Sequence, residues 1–274
     1  MSKLHGIWGK PYIDLSEHVD RSELDDVHDE ITSGLVHAEC TYTGGSLKWM
    51  GICAPWSEAD PYRDVNWVIE ELSDREFAAF CALGEPPYDP SIAPRQFGDE
   101  TEQPLSYAQM RWLEIRHGVY FPWRTCFHFL ENRKWEDKHS GQDKAFHPEA
   151  LRLFPRTVTL LRRLPFAEIG RAVLFGLDAN AHAPFHRDSE PGESLGIAQC
   201  INLHPDPHKR LWLASEDGSE RVEVRAHAFW FNDMDYHGVL AAPRFRYSIR
   251  VDGRFRPEFL RALERTSRAR VSEA

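Results

Sequence analysis

The sequence predicts an α+β protein, a double-sheet jelly roll of short strands preceded by a mostly helical N-terminal half. Three observations predict it. Short apolar runs bounded by Gly, Pro, Asp or Asn follow one another from residue 171 to 253. Before them, apolar residues recur mainly at helical steps of three and four. The 274 residues are 42% hydrophobic and 12% aromatic, enough for a substantial core in one large domain, with or without an added subdomain.

The first part, residues 1–145, is expected to be mixed and mostly helical, packing on the barrel and shaping its substrate side. NWVIEELSDREFAAFCAL (66–83) contains a helix, with a restart cap at Ser73-Asp74. GEPPYDPSIAPRQFGDETEQP (84–104) carries five prolines and reads as a loop. SYAQMRWLEIRHG (106–118) reads as a helix stopped by Gly118. WSEADPYRD (56–64) and ENRKWEDKHSGQDK (131–144) read as loop and charged connection, the first of them able to help cover a site.

Residues 146–274 carry the strand-rich core and a C-terminal helix. PEALRLFPRTVTLLRRLP is one helix, or two short ones joined at Pro155. RAVLFGLD (171–178), AQCINLHP (198–205), RLWLAS (210–215), RVEVRAHAFWFND (221–233) and FRYSIRVDG (245–253) read as strands. SEDGSE between the third and fourth is a hairpin signal. RPEFLRALERTSRAR closes the chain as a short helix, with Leu260, Leu263 and Phe259 packing back.

Charge and cysteine content narrow the partners. The formal charge of −10, from 33 basic and 43 acidic side chains, gives no general attraction to nucleic acid or anionic lipid. MSKLHGIWGKPYIDL lacks the apolar centre of a signal peptide, and no run of about 18 apolar residues exists to span a bilayer. The five cysteines are odd in number and widely spaced, which argues against a disulfide framework or a cysteine zinc site. A cytoplasmic location is the simplest expectation.

The chemistry concentrates in HAPFHRDSEPG (182–192), where two prolines and a glycine exclude a helix. In extended backbone, residues i and i+2 point the same way. His186 and Asp188 could therefore reach one ion while Arg187 points elsewhere; a solvated polar loop is the plainer alternative. A second histidine must come from another strand, and His237, after HAFWFNDMDY, is the natural candidate. Two His and one carboxylate form a facial triad that leaves adjacent positions open on octahedral Fe(II) for a bidentate cosubstrate and dioxygen. His182 lies four before His186, but Pro184 prevents helical pairing of the two.

RFRYSIRVD places Arg246, Ser248 and Arg250 on one face of a strand. A guanidinium inside a small barrel needs an anion, and a carboxylate meets that need. Arg246, helped by the Ser248 hydroxyl, could hold the far end of a dicarboxylate 2-oxo acid. A charged edge strand at the surface is the alternative. Asn202 could touch the same cosubstrate or serve the sheet. Arg250 could bind a substrate carboxylate or sit on the rim beside Asp252. Trp230 could line the cleft or fill the core.

FPRTVTLLRRLP, HRD, FNDMDYHGV and RYSIRVDGRFRPE occur in that order, and over residues 148–258 the chain resembles the aspartyl/asparaginyl β-hydroxylase superfamily of Fe(II)/2-oxoglutarate dioxygenases, including its bacterial proline-hydroxylase-like branch. The resemblance implies a double-stranded β-helix, of the jelly-roll or cupin-like kind. It maps His186, Asp188 and His237 onto iron ligands and Arg246 onto the 2-oxoglutarate-binding arginine. The implied cofactor set is Fe(II), 2-oxoglutarate and dioxygen. The implied reaction is hydroxylation of an unactivated C–H bond, with an amino acid, free, peptide-borne or on a biosynthetic intermediate, as the substrate class. The histidines must be neutral to bind, so activity is expected to fall at acid pH. Two readings stay beside it: a cupin-type metalloenzyme that uses no 2-oxo acid, and a non-enzymatic metal-binding barrel acting as sensor or binding protein.

Overall fold

A computed structural model describes residues 3–38, 52–56, 65–97, 105–119, 121, 124–130, 138–191 and 196–271. Residues 57–64 of the first predicted loop, 98–104 of the proline-rich loop and 131–137 of the charged connection lie outside the described residues. The fold is α+β, and its strands form two antiparallel sheets.

Helices occupy the predicted places at 66–83 and 106–118, with the predicted restart and stop, while α1 (Arg21–Gly34) was not foreseen. The segment 66–83 divides into α2 (Val65–Glu70) and α3 (Asp74–Ala82). The restart is a capping box: the Ser73 side chain accepts from the Glu76 N–H while the Glu76 side chain accepts from the Ser73 N–H. Helix α4 (Tyr107–His117) ends on Gly118, whose φ of 67° is the left-handed turn that suits glycine. These helices, with Phe97, Leu105, Val119 and Phe121, bury their own apolar cluster, built on Phe77, Phe80, Phe97, Met110 and Leu113.

Helix α1 (Arg21–Gly34) buries Leu24, Val27 and Ile31 on one stripe. It packs on α5 (Pro148–Leu153) and α6 (Pro155–Arg163), two helices joined at Pro155 as predicted. The Glu30 carboxylate of α1 accepts from the Arg156 and Thr157 N–H groups at the start of α6, both at 2.8 Å. A Cβ at Gly34 would stand 2.3 Å from the Phe154 ring, so the two helices meet there only with glycine.

The first sheet has six strands in the order β1 (Tyr12–Asp14), β9 (Ala228–Phe231), β6 (Cys200–Leu203), β11 (Arg246–Phe255), β4 (Phe166–Leu177) and β3 (Arg124–His128). The second has five: β2 (Ile52–Cys53), β5 (Ala183–Arg187), β10 (Tyr236–Val239), β7 (Trp212–Ala214) and β8 (Arg221–Glu223). Strand β11 sets the layering. Tyr247, Ile249 and Val251 join the main apolar core with α1 and α6, while Arg246, Ser248, Arg250 and Asp252 occupy the alternate positions of the same buried strand. Helix α7 (Pro257–Val271) covers the predicted segment, and Leu263 packs back into that core with Phe259 and Leu260 beside it.

Two expectations need correction. The run 221–233 is two strands, β8 and β9, in different sheets: Val224 bonds Leu211 beside β7, and by Ala228 the chain has crossed to pair with β6. Alternation persists through the crossing, so the pattern reads as one strand. Strands β1 and β3 were not foreseen, and both complete the first sheet from before residue 145. The main core joins Ile7, Leu15 and Ile31 to residues beyond 146. No helix among the described residues is long and apolar enough to cross a membrane.

His204, at the end of β6, is buried with its ring edge-on to Phe229 at 4.9 Å. Burial, then the charges of Lys209 and Arg210, lower its pKa from 6.5 to about 3. The unfolded chain therefore binds a proton that the folded chain excludes, and stability falls as pH drops from 6.5 toward 3. The expected loss from His204 is about 2 kcal/mol between pH 7 and pH 5. Urea unfolding of the metal-free protein across that range measures it, and His204→Phe should flatten the slope by about one proton.

Candidate metal centre

Antiparallel pairing brings the two histidines together. His186 on β5 and His237 on β10 are register partners, with ring centroids 4.3 Å apart. Asp188 lies one residue past the end of β5, where its N–H donates to the Asp233 carbonyl at 2.9 Å. One Asp188 oxygen, Oδ1, is 3.9 Å from His186 Nε2 and 3.5 Å from His237 Nε2. The ligand atoms of all three lie within 4.8 Å of one another, and this is the one such His/Cys/Asp/Glu group among the described residues. Arg187 points elsewhere, as the two-residue step predicts: it pairs with Glu190 and Glu216 and lies over the Tyr236 ring.

Local backbone fixes both rings. His186 Nδ1 bonds the Pro184 carbonyl at 2.8 Å, and His237 Nδ1 bonds the Asp235 carbonyl at 3.0 Å. A carbonyl only accepts, so each Nδ1 carries the hydrogen and each Nε2 presents a lone pair toward Asp188. That is the arrangement a metal-binding imidazole needs. Burial, then the neighbouring His237, pushes the His186 pKa down to about 3, so this imidazole stays neutral well below the ordinary histidine range. Burial resists ionisation of Asp188, but the Arg250 guanidinium outweighs it and holds the carboxyl well below its usual range. Two imidazoles, each with its Nε2 turned inward, and one carboxylate are a donor set that fits a divalent transition-metal ion.

Arg250 organises the charge around this cluster. Its Nη1 donates to Asp188 Oδ2 at 3.1 Å and its Nε to Asp252 Oδ1 at 2.9 Å, while Nη2 stands 3.7 Å from Asp233 Oδ2. Asp252 also pairs with buried Arg171 at 2.6 Å, and Lys138 reaches Asp233 at 4.0 Å. Burial, then the charge of Asp188, raises the Asp233 pKa. The sequence offered Arg250 a substrate carboxylate or a rim position beside Asp252; the Asp252 pairing is present, but the side chain is 7% exposed and also bonds Asp188. Asp233, Arg171 and Lys138 were not singled out at all. A charge on every second residue of a strand, as at Arg250 and Asp252, is the signal that could have found the network.

The other predicted residues divide. Arg246 is on the expected face, 1% exposed, but its terminal nitrogens donate to four main-chain carbonyls: Ala242, Arg244, Ala181 and Leu240. Ser248 Oγ accepts from Lys209 Nζ at 2.8 Å, and Lys209 was not foreseen. Asn202 sits opposite Arg250 in the β6–β11 register, with Nδ2 at 3.5 Å from Cys200 Sγ. Trp230 is a correction. It is 3% exposed in the main core, edge-on to Trp8 and Phe255, with its indole N–H on the Ala198 carbonyl, so it lines no cleft. His182 is outside the three-residue cluster.

No protein-family model matches the chain, and no curated protein matches it. Several solved structures match in part. A prolyl-4-hydroxylase from Pseudomonas putida is 16% identical with a TM-score of 0.28, over 43% of this chain and 68% of that one. A 2OG-Fe(II) oxygenase family oxidoreductase from Burkholderia pseudomallei is 10% identical with a TM-score of 0.29, over 47% and 66%. A prolyl hydroxylase from Trichoplax adhaerens, in complex with a hypoxia inducible factor peptide fragment, is 14% identical with a TM-score of 0.28, over 49% and 74%. In each, less than half of this chain is matched.

Proposed function

We propose that this protein is a non-haem Fe(II), 2-oxoglutarate-dependent oxygenase that hydroxylates an unactivated C–H bond. One observation carries the reading: two imidazole Nε2 atoms and one carboxylate oxygen, from two paired strands and the turn after one of them, converge within 4.8 Å in a buried setting. Two histidines and one carboxylate with open positions are the donor set of non-haem iron oxygenases. The strand order adds support. The eight strands from β4 to β11 pass from sheet to sheet at every step except the β7–β8 hairpin, in the orders β9-β6-β11-β4 and β5-β10-β7-β8, which is compatible with a double-stranded β-helix.

Bound iron would supply dioxygen activation coupled to decarboxylation of the 2-oxo acid. The chain's own part is placement. His186, Asp188 and His237 would hold the ion through their inward atoms, with Pro184 and Asp235 carbonyls fixing the rings. Arg250 keeps Asp188 ionised and its second oxygen occupied, which leaves Oδ1 for the ion. The proposed substrate class is an amino acid, free, in a peptide or on a small biosynthetic intermediate. The N-terminal part, residues 1–145, is proposed to shape the substrate side. A cytoplasmic enzyme acting on a small molecule or peptide, without nucleic acid or membrane, fits the acidic composition.

One observation favours a second reading, a cupin-type metalloenzyme that needs no 2-oxo acid. The Arg246 guanidinium is committed to main-chain carbonyls, as a structural arginine would be. Conversion of 2-oxoglutarate to succinate separates the two. Purified protein with Fe(II), 2-oxoglutarate, ascorbate and dioxygen is expected to release succinate, stimulated by the right amino acid or peptide and abolished by chelation. Metal binding with no succinate from any substrate would favour the second reading.

A further inference from the structure

Lys209, in the connection between β6 and β7, is 6% exposed. Its Nζ donates to the Phe175 carbonyl at 3.3 Å and to Ser248 Oγ at 2.8 Å, both neutral acceptors. No carboxylate of the described residues lies within ion-pair distance of it. Asp206, the acid on the same connection, spends its two oxygens on the His208 and Tyr247 N–H groups. An ammonium buried without a counter-ion is costly, and burial pushes its pKa from 10.5 down to about 7. Cys126, Arg246 and Asp206 are the ionisable groups around it, so Arg246 adds a second positive charge.

Position gives this cation a use. Ser248 is two residues before Arg250 on the same strand face, about 7 Å along the strand, and Arg250 bonds Asp188 of the triad. The charge therefore meets the strand one two-residue step from Arg250, the partner of Asp188, on the side where Arg246 is already committed to the main chain.

We propose that Lys209, with Ser248, forms the seat for the distal carboxylate of the 2-oxo acid cosubstrate, while Arg246 braces the surrounding loops. This rests on the proposed 2-oxoglutarate dependence. A carboxylate arriving there supplies the counter-ion that Lys209 lacks and accepts from both the ammonium and the serine hydroxyl. No rearrangement of the four Arg246 hydrogen bonds is required.

The test is anaerobic calorimetry on Mn(II)-loaded protein, titrated with 2-oxoglutarate and with 2-oxovalerate, which keeps the chelating end but has no distal carboxylate. Wild-type protein is expected to prefer 2-oxoglutarate. Lys209→Met, similar in length and relieved of a buried charge, should lose about 10- to 100-fold in 2-oxoglutarate affinity, with 2-oxovalerate and Mn(II) binding unchanged. Ser248→Ala should show the same selective loss, smaller in size. If Lys209→Met binds 2-oxoglutarate as tightly as wild type, or weakens both ligands equally, the seat is not Lys209. If wild-type protein binds Mn(II) but neither oxo acid, the 2-oxoglutarate reading itself fails and takes this proposal with it.

Discussion

Replacing His186 or His237 with Ala is expected to abolish tight binding of one divalent ion per chain and all turnover. Each histidine offers its Nε2 toward Asp188 and has its Nδ1 held by the main chain, so neither is replaceable by a rotated neighbour. The loss in metal affinity should exceed the roughly 10- to 100-fold typical of residues that merely orient a ligand. Stability of the metal-free protein should change little, because among the described residues only Asp188 pairs with either ring as an ion, and it keeps Arg250. Equilibrium dialysis with Co(II) or Mn(II) gives the affinity, and urea unfolding gives the stability. Either variant retaining wild-type affinity removes that histidine from the site. Asp188→Ala is less clean, since it also removes one of the three carboxylates that Arg250 faces; Asp188→Asn keeps the shape.

Arg250→Met is expected to have the largest effect on stability. Its guanidinium faces three carboxylates, Asp188, Asp252 and Asp233, in a region shielded from water. Removing one partner of a buried ionic group costs about 3–5 kcal/mol, because the remaining charges stay buried and repel. Ordinary domains have only about 5–15 kcal/mol in all, so the metal-free variant should unfold at much lower urea. Asp252 keeps Arg171, and Asp233 keeps Lys138, so the least compensated charge is Asp188. A divalent ion bound there would replace the lost positive charge. Added Mn(II) should therefore raise the variant's unfolding midpoint by more than it raises that of wild type. An unchanged midpoint without metal would show that the network carries little of the fold's stability.

What the sequence made legible follows from range. The restart at Ser73, the stop at Gly118 and the joint at Pro155 depend on a few neighbouring residues, and the structure has all three. His186 and Asp188 could be paired because a two-residue step in extended chain fixes their common direction. His237 was reachable as a histidine beside an apolar strand, and its register with His186 bears out the juxtaposition. The alternation of Arg246, Ser248 and Arg250 was equally local. Which arginine meets which acid was not, since Arg250 and Asp188 are 62 residues apart and meet through sheet order alone. Lys209 escaped for the same reason: nothing near it in sequence signals that a serine 39 residues on will cover it. The strands β1 and β3 are short and carry no strong alternation, and sheet pairing rather than propensity makes them strands.

The most direct measurement is optical. Metal-free protein under nitrogen, given one equivalent of Fe(II) and then 2-oxoglutarate, should develop the weak visible charge-transfer band of a chelated 2-oxo acid, saturating at one ion per chain. His186→Ala and His237→Ala should develop none. A band of undiminished size in both variants, or none in wild-type protein that has bound its iron, would contradict the account.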